Sequence, residues 1–106
     1  MTRMTDDERR ERAKAMLEFP VARMCQEIGQ EHNRRLEWDA WGSEWFLVHL
    51  DGERRRVEVP EDWLVDYPEA SQGYQWSLQA RIRDKVRRLC RQHLSAAATG
   101  VIRLTG

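Results

Sequence analysis

The sequence predicts an α+β fold: two N-terminal helices and one long C-terminal helix packed on a small, mostly antiparallel sheet. Three observations predict it. Apolar residues recur at steps of three and four from Val21 to Leu36 and again from Leu78 to Leu89, the spacing of a single helix face. Between Trp45 and Leu50 the period drops to two, as in a strand. Asp51-Gly52 follows at once, and both residues tolerate the positive φ of a two-residue hairpin turn. The 106 residues suffice for one domain, 1–106, and not for two of ordinary size.

The elements follow in order. Thr5 with Glu8 three positions on makes a capping box, opening a first helix over about Asp6 to Glu18. Its early turns, Asp6 to Arg12, are wholly charged, so residues 1–18 are expected to project partly into water. Phe19 precedes Pro20 and is biased away from helical angles, whereas Pro20 suits the first turn of a new helix. The second helix runs from about Pro20 to Arg35, with Val21, Met24, Cys25, Ile28, His32 and Leu36 on one face.

Leu36 to Trp41 reads either as a strand turning at Gly42-Ser43 or as a helical extension carrying Trp38, Trp41 and Trp45. In Trp45–Leu50, both alternating sets are apolar or aromatic enough for both faces to be covered. The partner strand, Glu53 to Val59, places Val57 and Val59 inward and Arg54, Arg56 and Glu58 outward. Pro60 ends it and opens a helical turn, Glu61 to Asp66, which Tyr67-Pro68 stops. Glu69 to Tyr74 reads as a loop. In the last helix, about Gln75 to Ser95, Leu78, Ile82, Val86, Leu89 and His93 fall within about 80° on a wheel. Ala96 to Gly100 reads as a small-residue break, and Val101 to Leu104 as a short last strand joining the hairpin's sheet.

Composition bounds the function. The chain has 18 basic and 18 acidic residues, a balance that excludes a uniformly cationic nucleic-acid binder and an acidic tail protein. The zero conceals an asymmetry: the net charge is −2 over residues 1–50, −4 over 51–70 and +6 over 71–106. On the last helix Arg81, Arg83, Lys85, Arg87, Arg88 and Arg91 lie outside the apolar stripe, with Asp84 the one acid among them. That face either pairs with the acidic segment around Glu61, Asp62, Asp66 and Glu69 or meets nucleic acid or an acidic protein partner. No aromatic residue lies among these cations, which weakens single-strand binding by base stacking.

No apolar run reaches membrane-span length, and the N-terminus has no apolar signal core. Two cysteines make no disulfide framework. The expectation is a reduced, soluble, cytoplasmic protein. Cys25, His32, His49, Cys90 and His93 are the candidate zinc ligands. Without the short knuckle spacing of structural zinc sites, the cysteines read as small core hydrophobes and no metal or other cofactor is expected. There is no Gly-rich phosphate loop, no glycine-rich turn beside either cysteine and no carboxylate in an apolar setting, so neither catalysis nor a small-molecule substrate is expected.

Trp38, Trp41, Trp45 and Trp63 concentrate in a short stretch. Tryptophan is enriched in binding hot spots and also fills cores short of aliphatics; Leu, Ile, Val and Phe number only 21 of the 106 residues. From Leu36 to Leu104 the chain resembles a family of small bacterial proteins of unknown function, through Trp38-Asp39, Val48 to Gly52, Pro60 to Leu64 and Gly100 to Thr105. The resemblance implies the fold class and a bacterial origin, and no activity. The functional expectation is a small non-enzymatic interaction or regulatory module contacting a protein partner or a second copy of itself through the Trp group, with nucleic-acid binding by the Arg-rich last helix as the alternative.

Overall fold

The computed structural model describes the backbone of residues 4–105 and the side chains of residues 4–93. Its elements are α1 (Asp6–Glu31), β1 (Leu36–Trp41), β2 (Trp45–Leu50), β3 (Glu53–Glu58), α2 (Glu61–Asp66), a 3-10 turn (Tyr67–Glu69) and α3 (Gln72–Thr105). The class is α+β. The strands form one antiparallel meander in the order β1-β2-β3.

α1 starts at Thr5, whose hydroxyl accepts the Glu8 N–H at 3.2 Å, with Asp6, Asp7 and Glu8 complementing the positive end of the helix dipole. Both expected N-terminal helical segments are present, and they are continuous through Pro20. The proline forfeits one backbone hydrogen bond. The stripe Ala13, Leu17, Val21, Met24, Cys25 and Ile28 is nevertheless buried on both sides of it, and packing of that stripe holds the helix together. In the early turns Asp6, Asp7, Glu8, Glu11 and Arg12 are exposed, while Arg9 pairs with Glu69 at 3.3 Å and Arg10 with Glu61, tying α1 to α2 and the 3-10 turn. α1 ends before the expected Arg35 because Asn33 adopts φ 52°. The Asn33 and Arg34 N–H groups then return to the Gln30 and Gly29 carbonyls, a left-handed C-cap closing the last turn.

Leu36 to Trp41 is a strand, which settles the two open readings. Its register slips between Trp38 and Ala40, so that Trp38 opposes Val48 and Trp41 opposes Phe46. One inserted residue restores Trp41 to the face carrying Leu36 and Trp38. The hairpin turn is as its sequence predicts, with Asp51 at φ 52° and Gly52 at φ 86°. Phe46, Val48 and Leu50 of β2 are buried, whereas Trp45, Leu47 and His49 are only half-buried. The expectation that both faces of β2 are covered therefore holds for one face. Val57 and Val59 point inward as expected.

α1 packs against β1 and α3 against β3. The two helices run in the same direction, since Arg83 meets Glu27 and Arg87 meets Glu31. α3 begins at Gln72 because the Ser71 hydroxyl accepts the Tyr74 N–H at 3.2 Å, a cap inside the segment read as loop. Gln75 and Gln79 anchor its first turns to the Tyr67 carbonyl and hydroxyl. The expected break at Ala96–Gly100 and strand at Val101–Leu104 are not formed: α3 continues through them to Thr105. Ala96 to Ala98 are strong helix formers, and a single Gly costs only about 1 kcal/mol.

At Gly42 the available space dictates the residue. A Cβ there would lie 2.2 Å from the Trp45 ring, and its N–H donates to the Trp45 carbonyl at 2.7 Å. Gly42→Ala is expected to displace the half-buried Trp45 ring and cost about 1 kcal/mol, read as a fall in the urea midpoint with the slope unchanged.

Candidate interaction surface

The cations of α3 divide into two groups. Arg83 donates to Glu27 at 3.2 Å, and Arg87 holds Glu31 through two nitrogens at 3.2 and 3.3 Å. Hydrogen bonds from Arg83, then its charge and that of Arg23, hold the Glu27 carboxyl below its usual range. Arg87 does the same to Glu31, and Glu31 raises Arg87 in return. The face is thus partly neutralised within the fold, by α1. The expected pairing with the segment 61–69 is corrected: Glu61 and Glu69 are engaged by Arg10 and Arg9 instead.

The second group gathers toward β3. The Lys85 ammonium donates to the Glu58 carbonyl at 2.8 Å and sits 5.0 Å from the Trp63 ring centre. Arg81 stands 5.7 Å from the same ring. Arg88 and Arg91 are exposed and have no ion-pair partner among the described residues. A groove of about 260 Å³ runs between β3 and α3, lined by Arg56, Val57 and Glu58 on one side and Lys85, Arg88 and Leu89 on the other. On the outer sheet face the Arg56 guanidinium covers Trp45 at 4.1 Å.

The tryptophan group is not one surface. Trp38, Trp41 and Trp63 pack against the core; Trp38 and Trp41 meet edge-on at 6.4 Å, and Trp41 meets Phe46 at 5.5 Å. Trp45 lies on the opposite face of the sheet. Among the described residues, the large apolar side chains most open to water are Phe19 at 73% and Trp76 at 65% exposure. Neither belongs to the expected group, although a wheel reveals both, each lying two residues and thus about 160° from a core leucine, Leu17 or Leu78.

The residues weighed as zinc ligands disperse. Cys25 and Cys90 are buried in the core. His32 bonds the Ile28 carbonyl at the end of α1, and His49 meets Asp39 at 3.0 Å on the outer sheet face. His93 lies 3.4 Å from Asp51, docking α3 on the hairpin turn. Among the described residues no group of three or more His, Cys, Asp and Glu is placed to hold a metal ion. Burial and the neighbouring Cys90 push the Cys25 thiol up to about 12, and burial, with Asp51 nearby, raises Cys90. Neither thiol is an activated nucleophile. Among the described residues no helix is long and apolar enough to cross a membrane.

No protein-family model matches the chain, and no curated protein or solved structure is significantly similar to it.

Proposed function

We propose that the chain is a non-enzymatic protein-binding module, with a second copy of itself as the first partner to consider. The observation that carries this is the exposure of Phe19 and Trp76, at 73% and 65%, on helix faces turned away from the core. Aromatic side chains, tryptophan above all, are enriched among the residues that dominate binding at protein interfaces. Size-exclusion chromatography with light scattering tests self-association: a concentration-dependent dimer lost in Phe19→Ser/Trp76→Ser is the expected result. A strict monomer at high concentration removes the homodimer.

The nucleic-acid alternative draws on Arg88 and Arg91, exposed and without ion-pair partners among the described residues. It requires a salt-dependent shift with DNA or RNA that weakens in Arg88→Glu/Arg91→Glu. Arg83 and Arg87 serve it less well because each is held by a glutamate of α1.

A further inference from the structure

We infer that the groove between β3 and α3 is a docking site for an extended acidic peptide, which adds to the sheet as a fourth strand beside β3. This rests on the chain being a protein-binding module, but it uses a surface separate from Phe19 and Trp76.

The backbone supplies the first half of the argument. β3 is an edge strand. In an antiparallel pair, residues alternate between those that exchange hydrogen bonds with the partner strand and those that turn their N–H and C=O away. The Val59 N–H donates to the Glu44 carbonyl at 2.8 Å, and Trp45 opposes Glu58 and Leu47 opposes Arg56 in the next positions. Val59, Val57 and Arg55 therefore bond inward to β2, and Glu58, Arg56 and Arg54 present their backbone groups to the free edge. Lys85 already uses one of these, donating to the Glu58 carbonyl. Among the described residues, the edge-facing N–H and C=O of Arg54 and Arg56 have no hydrogen-bond partner. An edge of this kind is a template for another strand.

Side chains select the occupant. A strand added there alternates its own side chains between the two faces of the sheet. On the outer face its neighbours are Arg54, Arg56 and Glu58, two cations against one acid, with Arg56 lying over Trp45; on the inner face they are Lys85 and Arg88 of α3. Glu58 is the acid among the groove's lining residues. The outer face thus favours carboxylates, while the inner face offers Val57 and Leu89 for apolar contact at the groove floor beside Lys85 and Arg88. A nucleic acid would use the cations and leave the strand edge unpaired. A peptide uses both.

The test titrates a fluorescein-labelled six-residue peptide of alternating Glu and Val, the length of β3, into the full chain and follows anisotropy. Saturable binding is expected, weakened about tenfold or more in Arg54→Glu/Arg88→Glu, whose parent side chains are both exposed. N-methylating one alternating set of the peptide's amides should abolish binding. Arg56→Pro, which deletes an edge donor and leaves the β2 ladder intact, should do the same while Arg56→Ala retains it. If Arg56→Pro fails to fold, as circular dichroism would reveal, the methylated peptides still decide. Absence of saturation into the millimolar range overturns the proposal, as does indifference to methylation or equal competition by an oligothymidine. Those results would leave the Phe19 and Trp76 experiment standing, so the two ideas fail separately.

Discussion

Replacing Phe46 by alanine is expected to lower the unfolding free energy by about 3–5 kcal/mol. Phe46 is fully buried on the central strand, with its ring edge-on to Trp41 at 5.5 Å. Its removal leaves a cavity between the sheet and the helices. Against a typical stability of about 5–15 kcal/mol, that is a large share, and the thermal midpoint should fall by roughly 15 °C or more. Trp45, the preceding residue, is half-buried on the opposite sheet face under Arg56. Trp45→Ala should cost only about 1 kcal/mol, because the truncated side chain was already in partial contact with water. Chemical denaturation of the two variants tests the register directly: equal losses would contradict the strand's alternation, since a slip by one residue exchanges the two faces.

The second large effect is alkaline. Burial and Cys90 push the Cys25 thiol up to about 12, against about 8.5–9 in an unfolded chain. The folded state therefore retains a proton that the unfolded state gives up. The resulting stability is fully present below about pH 8.5 and is lost as pH rises toward 12. Each pKa unit is worth about 1.4 kcal/mol, so the whole shift amounts to about 4 kcal/mol, of which roughly half is gone by about pH 10.5. Cys90 changes in the same direction. Urea midpoints between pH 7 and 10.5 should fall more steeply in the parent protein than in Cys25→Ala. Identical pH profiles would show that the thiol ionises as freely in the fold as outside it.

Much of the fold was legible because its signals are local. The Thr5 cap and the Asp51-Gly52 turn each depend on residues within a few positions, and both formed as read. Local signals failed where a longer-range balance decided. Pro20 reads as a boundary, but an apolar stripe continuous from Ala13 to Ile28 carries the helix through it. Val101-Ile102 reads as a strand, but the preceding alanines extend α3. The register slip after Trp38 has no marker in the sequence, because it answers the need to return Trp41 to the core.

The surface was legible in its charges and not in their partners. The +6 of the last third was visible, yet Arg83 and Arg87 find glutamates 56 positions away on α1. Nothing in the sequence specifies that α1 and α3 run side by side in the same direction. Clustering in sequence left open whether Trp38, Trp41 and Trp63 fill the core or face a partner; their rings lie against the core and remain partly exposed. The exposure of Phe19 and Trp76 was legible from their angular positions on the helices, opposite the apolar stripes.

The proposed activity of this chain is binding to protein. Affinity purification of the tagged full chain from its native host, with and without nuclease, tests it most directly. The account predicts partners, or a second copy of the chain, that survive nuclease treatment and are lost from Phe19→Ser/Trp76→Ser. Recovery that disappears with nuclease and is unchanged in that variant would contradict it.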